Sequence, residues 1–263
     1  MPKNRYTQII ESIFLKHYTD RADRVLFERT EFVHAAEEMH IPLPRNLGDV
    51  VYSFRYRAEL PESIRNTAPE GYEWAISPAG IGRYQFILVT KARIVPNEML
   101  AETKIPDATP GVIERYALND EQALLAKLRY NRLIDIFTGL ACYSLQSHLR
   151  TTVPGMGQVE TDELYVGIDR RGAHYILPVQ AKGRSDTVGV VQIQQDLAVC
   201  AAKFPALLCR PLAAQFLGDD LIALFELEQA ENGIAITCEK HYRLVDAGDL
   251  SPEELASYQQ RPV

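Results

Sequence analysis

Apolar positions in the first third of the chain recur at helical spacing and then give way to strand-like runs. Residues 6 to 18, "YTQIIESIFLKHY", place Ile9, Ile10, Ile13 and Phe14 on one face, which predicts an amphipathic helix. Thr30 is positioned to cap a second helix, "EFVHAAEEM", with Phe32, Ala35, Ala36 and Met39 on one side. "HIPLPRN" ends it with two prolines, and Asn46 is positioned to cap a third helix, "LGDVVYSFRYR", running toward Arg57. "YEWAISPAGIGRYQFILV" then reads as two strand-like arms around a turn rich in Pro and Gly. Residues 96 to 119 hold Pro96, Pro106 and Pro110 and little periodicity, which predicts a linker with a domain boundary near residue 105. From Asp120 onward, "EQALLAKLRYNRLIDIFTGLACYSLQSHL" predicts one long helix in which Gly139 is a soft spot and not a stop. "VPGMG" breaks the chain. "VETDELYVGID", "RRGA" and "HYILPVQAKG" follow as a β-hairpin, then a helix in "TVGVVQIQQDLAVCAAKF" and strands in "ALLCRPLAAQF" and "LIALFEL".

Composition narrows the class without choosing a function. The 263 residues are 46% hydrophobic and 24% charged, the balance of a soluble globular protein with a substantial core. No run of about 18 uncharged apolar residues is present, so nothing is expected to span a membrane. The N-terminus lacks the apolar block of a secretory signal, so a cytoplasmic location is expected. A net charge of −7 argues against a polyanionic partner, but the charge is uneven. Arg45 to Arg93 carries seven basic and five acidic side chains, whereas Cys200 to the end carries five and ten. The four cysteines show no metal-site spacing, and Cys142 and Cys200 fall in helical patterns that predict buried, reduced thiols. The six histidines form no HxxxH or HxH group; His148 and His174 flank the predicted hairpin.

Helix, helix, turn, helix and hairpin is the order of a winged helix-turn-helix module. In a DNA-binding reading, the third helix with Arg55 and Arg57 enters the major groove, and Arg83 of the wing meets a phosphate or the minor groove. Arg45, at the break before that helix, is a further candidate contact. The alternative is a small packing module whose arginines are solvated.

The hairpin carries the candidate chemistry. Strand alternation puts Glu160 and Asp162 on one face with Leu164 and Val166, and Glu163 on the other with Thr161 and Tyr165. Gln180 and Lys182 share a face of the second strand. Singly, Lys182 reads as a solvated strand-end charge, and Asp162 or Glu163 as an exposed strand acid. Together, Asp162, Gln180 and Lys182 can meet at one end of the sheet, an arrangement suited to phosphodiester hydrolysis. A carboxylate holds Mg²⁺, which prefers oxygen ligands and keeps several waters. An ammonium steadies the nucleophile or the developing charge. The amide oxygen of Gln180 and the carbonyl of Ala181 are candidate further ligands, and Glu160 is a candidate auxiliary acid.

Asp162…Gln180-Ala181-Lys182 resembles the PD-(D/E)xK nuclease superfamily in its Gln-x-Lys, Mrr-like form, over roughly residues 120 to 245. Thr161 stands where that pattern has proline. The order of helix, Asp strand, Gln-x-Lys strand and helix also matches. The resemblance implies an α/β (mixed α+β) chain: a winged-helix DNA-recognition domain over 1–105 and a restriction-endonuclease-like mixed β-sheet flanked by helices over 106–263. It further implies Mg²⁺-dependent cleavage of double-stranded DNA by a homodimeric type II restriction endonuclease, with a cognate DNA methyltransferase encoded nearby. Asp162 would then ligate the metal, Gln180 position it and Lys182 orient the attacking water, while Gln192, one turn before Gln195, is a candidate DNA contact. Two alternatives remain open: a non-catalytic winged-helix DNA-binding protein with a degenerate nuclease domain, and a structure-specific repair nuclease.

Overall fold

The apolar stripe of the first helix, α1 (Arg5–His17), is buried as its spacing demands, with Ile9, Ile10, Ile13 and Phe14 almost fully covered. The computed structural model describes the chain except residues 1–4, 44–46, 48–49, 52, 55–57, 91–92, 118–120, 185, 231–232 and 261–263. Around α1 are grouped β1 (Arg24–Glu28), α2 (Arg29–Glu38), the short α3 (Glu62–Arg65) and a hairpin of β2 (Glu73–Pro78) and β3 (Arg83–Val89). The three strands form an antiparallel sheet in the order β1-β3-β2. Phe14 is the centre of this core, meeting Trp74 and Phe86 edge-on with ring centroids 5.3 and 4.9 Å away.

Two local expectations change here. "RVLFE" is a strand that the helical pattern around it conceals: Val25 and Phe27 face inward while Arg24, Leu26 and Glu28 face out. Helix α2 also starts before Thr30. Its N-cap is Glu28, whose N–H donates to Glu31 Oε1 at 2.8 Å, so the reciprocal acid three residues on sets the start. Residues 50, 51, 53 and 54 are helical, with Val50, Val51 and Phe54 in the core. Asn46, Arg45, Arg55 and Arg57 lie outside the described residues.

The second half builds an eight-stranded mixed sheet. In chain order its elements are β4 (Arg93–Ile94), β5 (Glu102–Pro106), α4 (Gly111–Tyr116), α5 (Glu121–Tyr130), α6 (Leu133–Thr138), β6 (Ala141–Val153), β7 (Gly157–Ile168), β8 (His174–Lys182), β9 (Val188–Gly189), α7 (Val190–Lys203), β10 (Leu208–Cys209), β11 (Leu212–Phe216), β12 (Leu221–Ala230) and β13 (Gly233–Val245). The sheet runs β5-β13-β12-β11-β8-β7-β6, with β10 also beside β8, and β4 and β9 pair separately. Helix α5 covers one face of the sheet: Leu124, Leu125 and Leu128 pack on Leu177, Val179 and Ala181. Helix α7 covers the other. Its Val190 and Ile193 fill the space between Ala213 and Phe225 of the large sheet and Ile87 of the small one. One apolar helix thus joins the two sheets.

Segment 96–119, read as a linker, contains β5 and α4. Strand β5 pairs in parallel with β13 from Glu102↔His241 to Pro106↔Val245, so the large sheet begins before residue 105. Proline misled here: Pro106 lies at the end of an edge strand, where a missing N–H costs little. The long helix expected from Asp120 to Leu149 also breaks. Gly139 takes a left-handed φ of +69° and caps α6, and the chain leaves as β6. Cys142 is buried in that strand rather than in a helix. Most side chains of β6 are exposed because it is the sheet's edge, which removes the alternation that would have marked it. In β8, Pro178 falls where the neighbouring partner changes from β10 (Ile176↔Cys209) to β11 (Val179↔Leu212), so no partner there needs its N–H. No helix among the described residues is long and apolar enough to cross a membrane.

Phe14→Ala would remove the ring at the centre of the small core, and urea denaturation is expected to read a loss of about 3–5 kcal/mol.

Candidate active site

The site begins where a ladder ends. Strands β7 and β8 pair from Ile168↔His174 as far as Glu163↔Val179 and then part. On the neighbouring β6, His148 has a left-handed φ of +48° between the pairs Ser147↔Glu163 and Leu149↔Thr161, a kink level with Asp162. Side chains take over the backbone groups released there. Asp162 Oδ2 accepts the Ala181 N–H at 2.9 Å, and Gln180 Nε2 donates to the Glu160 carbonyl at 3.4 Å. The far edge of β8 stays fixed, because β11 continues in parallel register to Gln215↔Lys182.

Lys182 ends β8 with only 4% of its surface exposed. Its Nζ donates to Glu121 Oε1 at 2.7 Å and lies 3.8 Å from Asp162 Oδ2. A buried ammonium requires such counter-charge, since desolvation otherwise costs several kcal/mol. The first residue of α5 and the last but six of β7 therefore converge on the end of β8. Burial pushes the Asp162 carboxyl above the ordinary carboxylate range, against the pull of Lys182 and of the Ala181 N–H, while Glu121 adds to the rise.

Gln180 turns the other way. Its Nε2 donates to both carboxylate oxygens of Asp196 on α7, at 3.1 and 2.9 Å, and its Oε1 accepts from Gln192 Nε2 at 3.0 Å. Gln192 Oε1 in turn accepts the Gly189 N–H at 3.2 Å, and Thr161 Oγ1 donates to Asp196 at 2.6 Å. The Gly189 end fixes both amide orientations, because a backbone N–H can only donate: Gln192 must accept there with Oε1 and so donates Nε2 to Gln180 Oε1. Asp196 is fully buried with no cation in hydrogen-bond reach among the described residues, and burial pushes its carboxyl up to about 7 against its Thr161 and Gln180 donors.

The residues singled out in the sequence fare differently. Asp162, Gln180 and Lys182 do line one cleft, of about 860 Å³, together with Glu160, Gln192 and Gln195. Only Asp162 and Lys182 present charge to each other. Gln180 has its amide oxygen occupied, and Gln192 is spent on Gln180 and Gly189. Ala181 contributes its N–H to Asp162. Glu160 is exposed and pairs with Arg150 at 3.1 Å and His148 at 3.7 Å. Arg83 is exposed, lies 3.7 Å from Glu28, and is not among the cleft's lining residues. Glu163 is not an exposed strand acid: it is fully buried and bonded to Arg129 at 2.7 Å and Ser144 at 2.6 Å. Strict alternation is lost at Thr161, which bonds to α7 while Glu163 bonds to α5.

Two acids were missed by reading motifs. Glu121 carried one signal, its place in the first turn of a helix. Asp196 carried another: with Gln192 and Gln195 it makes a polar patch on an otherwise apolar helix.

Among the described residues no three His, Cys, Asp or Glu side chains come together to hold a metal. The two carboxylates that meet at Lys182 suit a hard cation such as Mg²⁺, which commonly takes one or two carboxylates and completes its shell with water and substrate phosphate. Among the described residues Asp162 Oδ1 accepts no hydrogen bond and so remains for such a role. Comparison of the chain with protein families, curated proteins and solved structures finds no match.

The raised carboxyl of Asp196 sets a pH dependence. The folded protein keeps a proton between roughly pH 4 and 7 that the unfolded chain has released, so this contribution to stability is complete below about pH 4 and lost as pH rises through about 7. Urea denaturation across that window is expected to show stability falling by up to about 4 kcal/mol. Asp196→Asn should flatten the slope, whereas an unchanged slope would place the titration elsewhere.

Proposed function

We propose that the chain is a Mg²⁺-dependent nuclease that hydrolyses DNA phosphodiesters in the cleft at the end of β8. The observation that carries this reading is Lys182: an ammonium almost out of water, aimed between Asp162 and Glu121 at the floor of an open cleft. Lys127, the other buried lysine with two carboxylates beside it (Asp107 and Asp220), lies outside the cleft, so it is the place of Lys182 at the parted ladder that supports this reading.

Hydrolysis adds the hydroxyl of water to phosphorus and a proton to the departing ester oxygen. Lys182 is placed to hold the attacking water and to oppose the negative charge that grows on the phosphoryl oxygens. Asp162 and Glu121 would hold Mg²⁺, which when bound polarises a phosphoryl oxygen and lowers the pKa of coordinated water. Gln180 acts through its place in the chain: tied to Asp196 and Gln192, it locks β8 to α7 and so fixes where Lys182 and Asp162 stand. With the short α6, β9 and β10 set aside, the order helix, strand–strand–strand, helix, strand from α5 to β11 supports a PD-(D/E)xK-type reading. The N-terminal order α1, β1, α2, the helical residues 50, 51, 53 and 54, α3, β2 and β3, with sheet order β1-β3-β2, supports a winged-helix reading, the hairpin being the wing.

A second reading, a DNA-binding protein with an inert site, draws on one observation. The position that would carry a second strand acid is Gln180, and its amide faces inward.

Plasmid and linear DNA incubated with Mg²⁺ decide between them. Wild-type protein is expected to cut, with Lys182→Ala and Asp162→Ala each slower by roughly 10²-fold or more. Tight binding with no cutting in Mg²⁺ or Mn²⁺ favours the second reading. Equal cutting by all three proteins removes the site from this cleft.

A further inference from the structure

The cleft has a roof as well as a floor. Between β2 and β3 the chain turns through Gly80-Ile81-Gly82, with Arg83 N–H donating to the Gly80 carbonyl at 3.3 Å and Gly82 at φ +68°. That is the geometry of a tight turn with glycine at its third position, and Ile81 stands at its tip. The turn is held at two points. The Arg29 N–H at the start of α2 donates to the Gly82 carbonyl at 2.8 Å. On the other side, a Cβ on Gly157 at the start of β7 would lie 3.3 Å from the Gly80 carbonyl carbon and oxygen, so the two backbones pack closely and a side chain there would have to push them apart by a few tenths of an ångström. The hairpin of the small sheet is therefore fastened over the same cleft that holds Asp162 and Lys182.

Ile81 is 92% exposed, an apolar β-branched side chain held out on a rigid tip and lining the cleft. A lone exposed apolar residue is ordinary on a surface. Tyr84, one face of which stacks on Phe27, and Met156 line the same cleft, as do Arg29 and Arg150, the latter paired with Glu160. Exposed apolar side chains can pack against the faces of unpaired bases, which a paired strand keeps stacked inside the duplex.

The reacting groups are sunk, with Lys182 and Asp162 at 4% and 9% exposure, and a single strand, thinner than a double helix, is the form of DNA better suited to bring a phosphate down to them. Among the described lining residues three carboxylates (Glu121, Glu160, Asp162) offset three cations (Arg29, Arg150, Lys182), so phosphate contacts contribute less here and contact with bases, which only an unpaired strand exposes, has to contribute more.

We infer that the DNA strand cut at this site enters the cleft unpaired, beneath the hairpin tip, with Ile81 wedged against its bases. This inference rests on the nuclease reading for the cutting, and on the cleft alone for the binding. The substrate class is single-stranded DNA, either free or as the unpaired arm of a branched duplex, and the protein is then a structure-selective nuclease rather than a reader of intact duplex. Apolar wedges of this kind prise base steps apart in other settings.

Binding and cutting are read separately on the full chain. Anisotropy in Ca²⁺ compares one labelled DNA strand alone, the same strand in blunt duplex, the same strand as a flap, and its RNA counterpart; cleavage is then followed in Mg²⁺. Strand and flap are expected to bind at least about ten-fold tighter than duplex, with cuts confined to unpaired nucleotides. Ile81→Ala is expected to lose roughly ten-fold in strand and flap binding with an unchanged melting temperature, as the side chain is solvent-exposed. Duplex bound as tightly as strand, or strand binding indifferent to Ile81→Ala, overturns the inference; RNA bound more tightly than DNA overturns its assignment to DNA. Strand-selective, Ile81-dependent binding without any cleavage upholds the inference about the cleft and rejects the nuclease reading.

Discussion

Burying the charge of Lys182 organises the rest of the molecule. An ammonium at the end of a central strand stays folded only if negative charge is brought to it, and two elements do this: α5 presents Glu121 and β7 presents Asp162. For Asp162 to arrive, β7 must part from β8 after Glu163↔Val179, and the left-handed His148 on β6 marks the bend. The parted strands leave backbone groups to be satisfied, and Asp162 and Gln180 satisfy them. The same few interactions thus hold the sheet end together and open the cleft.

The second buried charge works by a different rule. Burial disfavours the ionised form of Asp196, which has donors but, among the described residues, no cation in hydrogen-bond reach, and the network through Gln180 and Gln192 serves to fix strand β8 against helix α7. Because α7 also packs against Ile87 of the small sheet, the position of the hairpin tip over the cleft and the position of Lys182 within it share one support. The close backbone contact of Gly80 and Gly157 closes that circuit on the far side. Glu163, one residue from Asp162, is buried against Arg129 of the same helix that supplies Glu121, and against Ser144.

Much of this was legible in one dimension where a single element decides. The hairpin of β7 and β8, helix α7 and the strands after it follow from alternation, a Gly-containing turn and helical spacing. The failures have physical causes. An edge strand with solvent on most of its residues, β6, loses the alternation that identifies a strand, and its Leu and Tyr residues mimic a helical period. Prolines read as linker punctuation also end an edge strand, β5.

What the sequence determined by itself was the neighbourhood: Asp162 and Lys182 on adjoining strands, with helices before and after. Those are local rules of pairing and period. What only the tertiary structure decided was which side chains face each other. Glu121 lies 61 positions from Lys182, and Asp196 lies 35 positions from Thr161, and no periodicity spans such gaps. The direction of Gln180 belongs to the same class. Whether an amide points into a cleft or toward a buried carboxylate depends on a partner that another element delivers, and hydrogen bonding inside a desolvated core then leaves it one orientation.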